Sequence, residues 1–244
     1  MKSALSIIVL AVIWLPGKLF LENRVDTLAL PVSLARIDTR ERLGQMGFVA
    51  VLGGFRAVVA DFLFIDAQLA WERTDWTQLL LRLRQVTTLQ PHVALFWDMA
   101  GWHMAWNASA AALNNTAEPP AVRARLHQEY LDLGRDFLVR GVANNPNSAP
   151  LHEALARLYR EKFHDHARAS EQFAIAARLP DAHAYDERFA AYELSYCPGR
   201  EREAYAWLRA LYDRGERERL PTLIKRLHAL EERLNVPPAS RIPD

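Results

Sequence analysis

Cysteine is nearly absent from this sequence: Cys197 stands alone among 244 residues. That excludes an intrachain disulfide and any metal site built on several thiolates. A dominant charge sign is missing too, with 30 Lys and Arg set against 29 Asp and Glu for a net of +1. Nothing in that balance favours nucleic acid as a partner. Lysine is scarce, four against 26 arginines, a compositional bias that leaves the charge sign unchanged. Only 10 glycines and 13 prolines occur, while half the residues are hydrophobic; disordered and collagen-like chains are therefore excluded. No GxSxG elbow, Walker loop, GxGxxG turn or HExxH pair is present. The sequence gives no ground for calling the chain an enzyme, and none for a cofactor or a metal.

Long apolar runs are few, and the longest is N-terminal. Ala4 to Leu15 is almost wholly apolar, follows Lys2, and continues past Pro16, Gly17 and Lys18 to Leu21. About 18 residues just span a bilayer if Lys18 snorkels. Pro16-Gly17-Lys18 fits a cleavage site poorly, so residues 1–21 are expected to be an uncleaved signal anchor. Lys2 and the basic residues from Lys18 to Arg42 pull the orientation in opposite directions; a body outside the cytoplasm, at a bacterial inner membrane, is the expectation. Residues 22–43 read as a linker. A second apolar stretch, Met46 to Phe64, carries Arg56 and Asp61. Its charge-free part is too short to span, so it reads as a first body helix, with a helix lying on the membrane as the alternative.

Beyond residue 44 no period-2 run bounded by turn residues appears, and helical periodicity is widespread. The spacing predicts an all-α body over 44–234. Its helices are expected at about 44–73, 76–89, 93–113, 121–143, 150–163, 166–178, 184–194, 200–214 and 220–234. Pro91, Pro119-Pro120, Pro146, Pro180, Pro198 and Pro237-Pro238 fall between them. Asp75 is placed to cap the helix that opens at Trp76. The tail, 235–244, reads as extended and exposed.

Pro146 and Pro180 are 34 residues apart, and Pro91 and Pro146 are 55 apart, one such period with a 21-residue insertion. Before Pro180, Leu155, Ala156 and Tyr159 fall at large, small and aromatic first-helix positions. Ala169, Phe173 and Ala176 follow one residue late in the second helix, a slip that the His164-Asp165-His166 turn would absorb. Before Pro146, Gly134, Leu138 and Gly141 make a small, large, small second helix, with Trp97, Ala100, Gly101 and Met104 as its partner. In these features the chain resembles the tetratricopeptide repeat (TPR) family, with degenerate repeats, from about residue 60 to 215. The resemblance implies antiparallel helical hairpins stacked into an α-solenoid, whose concave groove holds a peptide or a partner protein. An irregular helical bundle is the alternative.

Two sets of residues are candidates for chemistry. Trp97, Trp102, His103 and Trp106 crowd one helix, with Trp102 and Trp106 at i, i+4 and Trp97 roughly 140° away. With His152 and Tyr159 of the next unit they form the candidate partner-binding set, since aromatic anchors commonly dominate interfaces; packing knobs between hairpins are the plainer alternative. His164 and His166, with His152 and His183 at a distance, make the one metal-like cluster. In a helical turn the i, i+2 pair diverges by about 200°, so an interhelical polar turn is expected instead. Asn107 to Pro120 reads as a loop at the edge of the array. The function expected is a non-catalytic, membrane-anchored scaffold or adaptor that binds a protein or peptide for assembly of an envelope complex. Its rivals are a structural subunit of a membrane complex and a metalloenzyme built on His103, His152, His164 and His166.

Overall fold

The computed structural model describes residues 34–243, with side chains from Gly53 onward. The expected anchor at residues 1–21 lies outside the described residues. Two compact units divide the chain at residues 1–54 and 55–244. Among the described residues there is no strand, and the chain is all-α.

The helices are α1 (Leu34–Glu72), α2 (Trp76–Leu89), α3 (Ala94–Trp102), α4 (Ser109–Asn114), α5 (Pro120–Asn144), α6 (Ala149–Leu158), α7 (His166–Ala176), α8 (Asp186–Leu194), α9 (Glu201–Asp213) and α10 (Pro221–Arg233). A π-helical segment, His103–Ala108, joins α3 to α4, and another, Tyr159–Phe163, follows α6. Local chemistry sets the boundaries. Asp75 accepts from the Gln78 N–H and Asp165 from the Arg168 N–H, so each supplies an otherwise orphaned donor with a partner. Pro120, Pro150 and Pro221 sit in first turns, where a missing N–H is harmless. Thr74, His164 and Asn235 take left-handed backbone where helices stop.

One expectation is corrected and a second is refined. Helix α1 starts at Leu34, so the residues just before Gly44, expected as linker, are helical; Leu34–Leu43 holds neither Pro nor Gly to break it. The tail is exposed at most positions, as expected, but it is held against the body at Ile242 rather than running free. Ile242 is buried, its N–H donates to Glu231 Oε1 at 2.9 Å, and Arg209 Nη1 donates to the Ser240 carbonyl at 3.1 Å. One apolar side chain among the prolines is enough to seat it against the last helices.

Packing runs mainly between sequence neighbours: α2 on α3, α3 and α4 on α5, α5 on α6, α6 on α7, α7 on α8, α8 on α9 and α9 on α10. Leu79, Leu83, Trp97, Met104, Phe137, Leu138, Leu151 and Leu155 share one apolar cluster. Leu194, Leu208, Leu211, Leu223, Leu227 and Leu230 share another, and Ala156, Phe173 and Ala190 form a smaller one. Each fully buried Leu or Phe contributes about 1.5–3 kcal/mol. Where α3 meets α5, small residues let the backbones touch. A Cβ at Gly134 would lie 2.6 Å from Ala105 Cβ, and one at Gly141 2.6 Å from Trp97 Cβ.

Candidate functional site

Helix α3, the first π segment and α6 frame a small cleft of about 80 Å³, lined by Asp98, Trp102, Trp106, Leu138, Ala154, Arg157 and Glu161. Asp98, Trp102 and Trp106 follow each other at i, i+4 and i+8, while Ala154, Arg157 and Glu161 project from the facing helix at i, i+3 and i+7. Trp102 stays 42% exposed at the cleft. Lys162 Nζ stands 5.3 Å from the Trp106 ring. Burial pushes the Asp98 carboxyl above its usual range, with Arg157 opposing the rise and Glu153 adding to it. The cleft offers an aromatic wall and both charge signs. It holds no nucleophile paired with a base.

Of the six residues expected to meet a partner, Trp102 and Trp106 line this cleft. Trp97, His103, His152 and Tyr159 are in the core. Trp97 lies on the far side of α3, as its angle predicts, and its Nε1–H donates to the Pro91 carbonyl at 2.8 Å. His152 is held between Gln172 and the Pro146 carbonyl, with Nδ1 2.8 Å from Gln172 Oε1 and Nε2 3.1 Å from the carbonyl oxygen. Tyr159 packs beside Phe163, under the Arg168 guanidinium. The four histidines of the metalloenzyme rival are not gathered: His164 sits exposed in a left-handed turn, while His166 turns to Glu193 and the Tyr196 ring. Asn107, which falls in both the helix expected at 93–113 and the expected edge loop, is helical, and its amide lies 3.1 Å from His103 Nδ1.

His103 is only 2% exposed and touches the rings of Trp71 and Trp102. Burial disfavours its charged form and brings its pKa down from 6.5 to about 4. With the folded value below the unfolded one, the unfolded chain binds the extra proton. The stability His103 contributes is therefore full above 6.5 and lost as pH falls toward 4. The shift corresponds to about 3 kcal/mol. Asp186, pushed up to about 6 by burial, acts with the opposite sign in the same window, but it is common to both proteins in a comparison with His103→Gln. The stability difference between wild type and His103→Gln, from urea unfolding, should therefore move against wild type by about 3 kcal/mol across that window. A difference independent of pH would mean that the imidazole is solvated.

A second constellation was missed in the sequence. Glu153 of α6, His183 of the connecting loop and Asp186 of α8 bring one ligand atom each within 4.8 Å of the others. Glu153 and Asp186 are buried, and His183 reaches solvent. Tyr185 Oη–H donates to Glu153 Oε2 at 2.8 Å, and its ring stacks on His183 with centroids 5.0 Å apart. Sequence reading grouped His183 with His164 and His166. The usable signal was His183-x-x-Asp186 at a helix start, but Glu153 lies 30 residues upstream of His183 and nothing local links them.

One face of α1 is also unusual. Phe55, Val58, Val59, Phe62, Ile65 and Leu69 are each more than 40% exposed and form a stripe opposite the buried Ala60 and Ala67. Among the described residues no helix is long and apolar enough to cross a membrane. The chain matches no protein-family model, no curated protein and no solved structure.

Proposed function

We propose that this chain is a non-catalytic scaffold of TPR-like helical hairpins, held at a membrane by its N-terminal segment, that binds a protein or peptide partner in the cleft between α3 and α6. The observation that carries the reading is Trp102, a large aromatic left 42% exposed beside a cleft that also offers Trp106, Asp98 and Arg157. Such an aromatic in a partly closed pocket is the usual anchor of an interface. The 34-residue proline spacing and packing between neighbouring helices support the hairpin array. The apolar stripe on α1 supports placement against lipid or a membrane subunit.

Truncating Trp102 to Ala should reduce capture of the partner from native membranes by more than tenfold, or about 2 kcal/mol. Its melting midpoint should stay close to wild type, because the ring adds little to the core. Unchanged capture, or a large fall in melting, would return Trp102 to a packing role.

A further inference from the structure

The geometry points to a divalent transition-metal site, of the zinc type, formed by Glu153, His183 and Asp186. The two carboxylates and the imidazole come from three segments, α6, the loop after α7, and α8. Each carboxylate spends one oxygen on positioning. Glu153 Oε2 accepts from the Tyr185 hydroxyl, and Asp186 Oδ2 accepts from the His183 backbone N–H at 2.7 Å. The other Glu153 oxygen faces the cluster. Glu153 Oε1 meets His183 Nδ1. Asp186 Oδ1 is fully buried and no donor reaches it.

That orphaned oxygen is the observation beyond the cluster itself. A buried acceptor without a donor is costly, and the Asp186 carboxyl that carries it lies beside a second buried carboxylate, Glu153. Such an arrangement calls for a cation between the two. A zinc-type ion with ligands at about 2.0–2.2 Å needs ligand atoms roughly 3.4 Å apart. The observed limit of 4.8 Å requires a closure of up to about 1.4 Å for the widest pair, while the short Glu153–His183 contact must open to admit the ion. The mixed nitrogen and oxygen donors suit zinc and its neighbours rather than calcium. Hydrogen bonds from Tyr185 and from the His183 backbone would orient the two carboxylates, as outer-shell partners do around bound metals. With three protein ligands and His183 at the surface, the fourth coordination place faces solvent.

Protons compete for the same atoms. His183 carries its proton more tightly than usual because Glu153 accepts it, and Asp181 and Asp186 add to the effect. Asp186 is pushed up to about 6 by burial, with Glu153 adding to the rise. Of the other charged groups nearby, Arg157 on α6 opposes the ion and Asp181 favours it. Binding must expel the His183 Nδ1 proton into solvent.

The test is titration of Co²⁺ alone into the tag-free full chain, held in neutral detergent and stripped by chelator. Visible d–d absorption reports the ligand field, and calorimetry the stoichiometry. One Co²⁺ per chain is expected, displaced by Zn²⁺. His183→Ala should weaken binding by more than about tenfold, and Asp186→Asn should do the same. His164→Ala, an exposed histidine outside the cluster, should leave it unchanged. The exposed His183 keeps the test decisive if Asp186→Asn fails to fold. Absence of saturable one-to-one binding would mean that Glu153 and Asp186 share only a proton. That result, or binding that survives His183→Ala or is lost in His164→Ala, overturns the site.

Discussion

Gly134→Ala is expected to destabilise the chain, although alanine is the better helix former. In an open helix that exchange gains about 1 kcal/mol. At Gly134 the new methyl would stand 2.6 Å from Ala105 Cβ, 2.9 Å from the Ala105 nitrogen and 2.9 Å from the Gly101 carbonyl oxygen. Two of those three atoms are backbone, so no rotamer change can clear them. Helix α5 must instead move off α3 and its π segment, and Phe137 and Leu138 move with it. Overpacking of this kind costs about 1–3 kcal/mol or more. The melting midpoint should drop by a few degrees. Gly54→Ala, where nothing lies within 4 Å, is the control and should be neutral or stabilising. If Gly134→Ala melts at or above wild type, the two backbones do not approach this closely.

Trp97→Ala should have the largest effect of any single truncation described, about 3–5 kcal/mol. Its side chain is 1% exposed, packs near Phe137 and lies against Gly141. Little of the loss comes from the hydrogen bond. The Pro91 carbonyl that Trp97 serves also accepts from Asn145 Nδ2 at 2.9 Å, so truncation leaves no orphaned acceptor. The cost is the cavity between α3 and α5, and Trp97→Phe should recover a good part of it. Chemical denaturation checks both variants. Trp102, five residues on, should respond to truncation by about 1 kcal/mol or less, since much of it is already in water. Equal losses at the two positions would contradict the opposed faces that α3 gives them.

What the sequence made legible was local. Each helix needs only its own apolar spacing, a cap and a breaker, and Asp75, Pro91, Pro146 and Pro180 supplied these within a few residues of the observed ends. Where distant residues decide, the reading failed. Ile242 looked exposed because its docking surface is made by helices ending before it. His183 was assigned to the nearest histidines because its true neighbours, Glu153 and Asp186, meet it only after α6, α7 and α8 have stacked. The four buried members of the aromatic and histidine set went astray for the same reason. A large side chain on a helix has the same local signature whether it faces a groove or a neighbouring hairpin.

The π segment at Tyr159–Phe163 explains a mismatch in phase. The second-helix residues Ala169, Phe173 and Ala176, which fall one position late against the tetratricopeptide pattern that the sequence resembles, are all buried. The surplus residue is taken up before the His164–His166 turn. The Tyr159 carbonyl accepts from the N–H groups of both His164 and Asp165, so the chain runs one residue longer per turn there. Helix α6 can thus carry an odd length while α7 still presents its apolar face to the core. Such a turn works as a vernier: it converts a one-residue change in length into a local widening, where an unbroken α-helix would pass the same change on as a rotation of about 100°.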